Sequence, residues 1–252
     1  MFYSARLRIL SVLLLAALLV GPSQPTRIVN AGQTSPFDCA TVTEIPQSEC
    51  EALVALYTST DGANWVNNIG WLQTTTPCSW FGVACASGHV SRVELGFNGL
   101  QGALPPQLRN LTELVELSIL SADLTGEIPS TLGELRHLEE LVLANAGLSG
   151  SIPPELGNLT QVQLLDLGLN QLTGPIPSDL GRLSAVAYLR LDGNQLSGPI
   201  PPELGNLTAL GIATLNDNQL SGSIPPTLGQ LTNLCDLDLS LNQLSGSIPP
   251  EL

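Results

Sequence analysis

The sequence predicts an α/β solenoid, a stack of short coils in which every coil adds one strand to a shared parallel sheet. Three observations predict it. The phrase L-x-L-x-x-N-x-L-x-G-x-I-P recurs with small variations from residues 93, 117, 141, 165, 189, 213 and 237, a period of 24 with no insertion or deletion. Units open on a short alternating stretch, such as Leu165-Asp166-Leu167 or Leu189-Arg190-Leu191, the signature of a strand with one inward face. Every unit also carries a glycine at a fixed offset, followed by Ile-Pro or Leu-Pro, where the backbone has to turn. A unit this short cannot bury its own apolar face, so it must stack on its neighbours.

The chain begins MFYSARLRILSVLLLAALLV, with Arg6 and Arg8 ahead of an apolar run from Ile9 to Val20. That run is short for a membrane span, which needs about 20 residues. Residues 1–31 therefore read as a secretory signal, with Val29-Asn30-Ala31 as the small-residue cleavage pattern and Ser23 as another place for the cut. An uncleaved anchor is the alternative. No later stretch is long and apolar enough to span a bilayer, and the expected location is secreted or at the cell surface.

Export makes the five cysteines disulfide candidates. Cys39 and Cys50 lie close together, and Cys78 and Cys85 enclose SWFGVA, so local pairing of each couple is the simplest connectivity. In the chain-entropy view a loop of about eight residues gains about 2.5 kcal/mol from such a link. Cys235 is left over, either as a free thiol within a repeat or as one half of an intermolecular bridge.

Residues 32–89 carry the features of a lid over the first coil. Ser48 and Glu51 have capping-box spacing, Leu53, Leu56 and Tyr57 share a helical stripe, and Gly62 is placed to end the helix. All three tryptophans, Trp65, Trp71 and Trp80, fall here. They are expected to form the core of the lid, with sugar stacking as the second reading.

Residues 90–252 hold seven units of 24 residues, the last of them incomplete. Strand leucines such as Leu165 and Leu189 and turn leucines such as Leu172 and Leu196 point inward. The return segment, LGNLTAL in its commonest form, has leucines three apart and suits 3₁₀-like or irregular turns. Asn98, Asn170, Asn194, Asn218 and Asn242 fall at a buried corner, where an amide can bond backbone groups of adjacent coils. Ala122 and Ala146 interrupt this ladder, and Asn145 is placed to compensate from one residue away.

Residues 90–252, read as LxxLxLxxNxLxGxIPxxLGxLxxL, resemble the plant-type leucine-rich repeat. The resemblance implies a right-handed superhelix with a concave parallel sheet, a second set of short strands at the L-x-G-x-I-P turns, and 3₁₀ or irregular segments on the convex side. P-C-S-W-F-G-V-A-C, from Pro77, resembles the N-terminal cap of receptor-kinase ectodomains, polygalacturonase-inhibitor proteins and bacterial secreted proteins of this repeat class. A cap is thus expected at the N-terminal end alone. The exposed far edge, with Leu237, Leu239, Leu244 and Ile248, points to a fragment of a larger protein or to end-to-end self-association.

The chain has 22 acidic residues against 8 basic ones, all arginine, for a formal net charge of −14. That balance argues against nucleic acid and anionic membrane as partners. Catalysis is not expected, since the chain has only His89 and His137, both read as surface residues, no lysine and no nucleophile or phosphate-binding motif. No cofactor is expected, and no Cys/His cluster has metal-ligand spacing. N-L-T sequons at Asn110, Asn158 and Asn206 would carry glycans in a eukaryote.

Function is then left to the concave strand face, where the units differ most. Val142, Leu164, Tyr188 and Ile212 lie near Asp166, Arg190, Asp192 and Asp217, an apolar centre with a charged rim suited to a protein or peptide ligand. The competing readings are an inhibitor of secreted polysaccharide-degrading enzymes, whose partner would be a glycosidase or a polysaccharide, and the ectodomain of a truncated receptor-like kinase. Ice binding has less support, because no strand column repeats threonine.

Overall fold

The computed structural model of the chain describes residues Phe37–Leu252. The signal read over residues 1–31 lies outside the described residues.

The repeats form the solenoid that the period predicts. Its large sheet has eight strands: Val83–Ala86, His89–Glu94, Glu116–Ser118, Glu140–Val142, Leu164–Asp166, Tyr188–Arg190, Ile212–Thr214 and Asp236–Asp238. The first two strands pair antiparallel, and each later pair is parallel with its register advanced by one repeat, as in Leu165 beside Leu189 beside Ala213. The middle residue of each short strand points inward, so Leu117, Leu141, Leu165 and Leu189 are fully buried.

A second parallel sheet follows the asparagine corner, with strands Ser149–Ser151, Gln171–Gly174, Gln195–Pro199, Gln219–Gly222 and Gln243–Leu244. Gln101–Gly102 pairs with Asp123–Leu124 in a separate two-stranded piece. In the five-stranded sheet the in-register partners are 22 residues apart, so Ser151 lies beside Thr173 and Thr173 beside Gln195.

On the return side, six five-residue 3₁₀ turns run from Pro106–Asn110 to Pro226–Gln230, each preceded by a proline whose fixed φ suits a turn start. A leucine from each, among them Leu156 and Leu180, enters the core. The glycine after that leucine is required by proximity. A Cβ on Gly157 would lie 2.2 Å from the carbonyl oxygen of Asp179 in the next turn, and Gly181 meets Glu203 in the same way.

The asparagine ladder joins the coils. Asn194 Nδ2 donates to the carbonyls of Leu167, Leu191 and Asp192, and its Oδ1 accepts from Leu172 N–H. Asn170, Asn218 and Asn242 repeat the pattern. Asn98 instead exchanges two bonds with the Asn67 backbone and so ties the first repeat to the segment before it. Where the ladder lacks an amide, Ala122 N–H bonds Asn145 O, and Asn170 Oδ1 takes the N–H groups of both Ala146 and Leu148. The Asn145 side chain does not fill the corner, because it bonds Ser121 Oγ at the surface.

Helix α1, Gln47–Ser59, departs from the capping expectation at both ends. Pro46 occupies the N-cap with φ −55°, so the chain enters the helix early enough to place Ser48 inside the first turn, with no side-chain cap bond. At the other end Thr60 donates through both N–H and Oγ1 to Leu56 O, and Asp61 takes the left-handed conformation expected of Gly62. Gly62 serves packing, because its Cβ position lies 2.2 Å from the Tyr57 ring.

The three tryptophans are buried, with Trp71 lying 5.0 Å from both Trp65 and Trp80 between ring centroids. Each indole N–H finds an acceptor, on Thr60 O, Phe81 O and Thr74, so these rings are core and not a sugar platform. Both local disulfides form, Cys39–Cys50 and Cys78–Cys85, and Cys235 is an exposed thiol.

One connection gave no sequence signal. Glu49 on α1 is only 2% exposed, and its carboxylate accepts from His89 Nδ1 at 2.6 Å and from Val90 N–H at 2.7 Å. The half-exposed His89 was read as a surface residue, but its ring holds α1 against the first long strand. That bond, more than any other influence, raises the His89 pKa above its ordinary value.

Candidate recognition face

The strands bring most of the predicted residues together in two rows. Leu164, Tyr188 and Ile212 stand side by side in register, all half-exposed. Parallel to them run Val142, Asp166, Arg190 and Thr214. Adjacent strands are about 4.8 Å apart, so each row places three neighbouring side chains within about 10 Å.

The polar row is more tightly built than an apolar centre with a charged rim. Arg190 Nη1 lies 3.2 Å from Asp166 Oδ2, and its Nε lies 3.5 Å from Asp192 Oδ1. Thr214 Oγ1 donates to Asp192 Oδ1 at 2.8 Å, and Gly168 N–H donates to Asp166 Oδ1 at 3.0 Å. Asp166 and Asp192 are only 7% and 8% exposed, so two of the expected rim residues are buried partners of Arg190. The cause is the stack itself, in which the long Arg190 side chain reaches Asp166 on the preceding strand and Asp192 two residues on in its own coil, and packs against both carboxylates. Burial pushes the Asp166 carboxyl above its ordinary pKa, and the nearby Arg190 charge and the Gly168 N–H offset part of that rise.

Val142 is buried and contributes to the floor of the row more than to its surface. Asp217 stands apart, exposed at a left-handed position beyond the strand Ile212–Thr214. Thr214 is the member of the polar network that sequence reading left out, although its place in the Arg190 column was the available signal. The sequon residues Asn110, Asn158 and Asn206 each end a 3₁₀ turn, away from these strands in the coil. Among the described residues no group of three or more His, Cys, Asp or Glu is arranged to hold a metal ion, and no helix is long and apolar enough to cross a membrane.

The Leucine Rich Repeat family model matches residues 137–159, 161–183, 186–207 and 233–252. Together with the paired sheets and the disulfide-bonded cap, these matches decide the family. The chain belongs to the plant-type leucine-rich-repeat proteins. A curated leucine-rich-repeat relative is the receptor-like kinase TMK4 of Arabidopsis thaliana, 39% identical over 49 residues that make up 19% of this chain and 5% of the kinase.

Among solved structures, the PEPR1–AtPEP1 complex is 32% identical with a TM-score of 0.76, covering 82% of this chain and 30% of its own. The plant peptide hormone receptor RGFR1 in complex with RGF2 is 40% identical with a TM-score of 0.62, covering 63% and 25%. A plant ice-binding protein is 26% identical with a TM-score of 0.68, covering 83% of each chain. This leucine-rich-repeat chain thus spans less than a third of these two receptor chains.

Proposed function

We propose that the chain is a non-catalytic extracellular recognition module that binds a protein or peptide ligand on the concave face of its large sheet. The observation that carries this reading is the half-exposed row Leu164, Tyr188 and Ile212, set beside an Arg190 already held by two carboxylates. Apolar groups that shed water easily, next to a polar group with little conformational freedom left to lose, are the ingredients of an interface centre. The likeness to a plant peptide hormone receptor supports a peptide as the ligand class. The two disulfides support an oxidising location.

On this reading residues 1–31 direct export and 32–89 cap the repeats of 90–252. A glycosidase inhibitor remains the second class, and a panel of pectinases assayed with micromolar protein addresses it directly. In the second sheet Thr173 lies between Ser151 and Gln195, so the ice-binding reading gains no regular threonine array.

The test is selection of a random peptide display library on the chain, followed by affinity measurement for Tyr188→Ala and Arg190→Ala. Loss of one central aromatic anchor should cost about 2 kcal/mol of binding. Unchanged affinity in both variants, with the thermal melt intact, would remove the face from consideration.

A further inference from the structure

The charge distribution along the large sheet narrows the ligand class, an inference that rests on the concave-face reading. On strands five to eight of the large sheet and the turns that follow them stand Asp166, Asp192, Asp217, Asp236 and Asp238, against one basic residue, Arg190. Arg190 is already engaged by Asp166 and Asp192. The other basic residue of these strand columns, Arg92, lies beside Glu116 at the far end of the sheet. The surplus of negative charge therefore sits next to the apolar row. Ile212 is in register with Asp236, and Thr214 is in register with Asp238. Asp236 is exposed, and the hydroxyl and backbone N–H of Ser240 hold the Asp238 carboxyl below its ordinary pKa, so it stays ionised.

We propose that this face takes an extended cationic peptide running across the strands, with an apolar residue over Leu164 and Tyr188 and a basic residue four positions away. The spacing follows from the sheet. Asp236 lies two and a half strand spacings, about 12 Å, from the midpoint of Leu164 and Tyr188, and an extended peptide advances about 3.3 Å per residue with every second side chain on the same face. A lysine or arginine four residues from the apolar anchor is on the same face of the peptide and reaches Asp236 or Asp238, while a carboxylate at that place would meet two like charges. The contacts are at the surface, so the charge term sets selectivity and salt dependence more than total affinity.

The experiment uses the full chain and three fluorescein-labelled synthetic nonapeptides with one shared apolar centre and ends made of lysine, glutamine or glutamate. Anisotropy titrations at low and high salt read the affinities for the wild type, Asp236→Asn/Asp238→Asn, Tyr188→Ala and Glu203→Gln. Asparagine at 238 keeps an acceptor for Ser240 N–H, and Glu203 lies on an exposed 3₁₀ turn on the return side of the coil. The lysine-ended peptide is expected to bind best and to weaken about three- to tenfold in the double asparagine variant and in high salt. The Glu203→Gln variant should bind it like the wild type.

Equal binding of all three peptides, with Tyr188→Ala still abolishing it, overturns the charge preference and leaves the concave-face reading standing. Binding indifferent to Tyr188→Ala overturns both. An equal loss in Glu203→Gln and in the double variant assigns the effect to net charge and overturns the proposal, as does failure of the lysine-ended peptide to bind.

Discussion

Replacing Asn194 by alanine should cost about 3 kcal/mol of folding stability. The figure follows from what the amide does. Its Nδ2 lies 3.0, 3.1 and 3.2 Å from the carbonyl oxygens of Leu167, Leu191 and Asp192, and its Oδ1 lies 3.0 Å from Leu172 N. Leu167 O keeps a second donor in Asn170, but Leu172 N–H loses its buried acceptor. One orphaned buried N–H costs about 1–3 kcal/mol, and the weakened carbonyl contacts add about 1 kcal/mol more.

The alanines that occur naturally at 122 and 146 do not argue against this cost. There a backbone carbonyl or the next amide reaches back, whereas Asn218 is committed to Leu196 N–H and the Leu191 carbonyl. The assay is urea unfolding of wild type, Asn194→Ala and Asn145→Ala, compared by midpoint and slope. Asn145 makes one exposed bond to Ser121 and sits at φ 51°, where alanine is strained, so its replacement should cost about 1 kcal/mol. A midpoint for Asn194→Ala that matches Asn145→Ala would refute the view that the ladder is a buried accounting of backbone groups.

Further expectations come from the return turns and the cap. Gly157→Ala should destabilise by about 2 kcal/mol, because its Cβ would lie 2.2 Å from Asp179 O and successive turns would have to move apart; a melting temperature unchanged from wild type refutes this close contact. His89 has a folded pKa raised above 6.5, so its stabilising link to Glu49 is full below 6.5 and fades as pH rises through the raised value. The melting gap between wild type and His89→Ala should therefore narrow with rising pH over that window, and a gap that stays constant across it counts against the pairing.

How much was legible in the sequence depended on whether the information was periodic. The inward leucines, the asparagine corner, the proline-led turns and the neighbouring cysteine pairs each follow from one repeated or local pattern, and the structure places them accordingly. The helix ends were misread because Pro46 and Thr60 supplied termini that the Ser48/Glu51 and Gly62 patterns also suggested. Glu49 and His89 were missed since their pairing spans the cap and the first strand, where no repeat links one position to the other.

The sequence by itself determined the coil, its period and the columns in which variable side chains would stand, because a repeat of 24 residues has few ways to bury its leucines. Only the tertiary structure decided which members of those columns remain available to a ligand. Arg190 reaches Asp166 on the neighbouring strand and Asp192 in its own coil, and both carboxylates are buried, while Leu164, Tyr188 and Ile212 stay half-exposed. That outcome is set by how long a side chain is relative to the spacing between strands, a contest between neighbours that no single position in the chain can express.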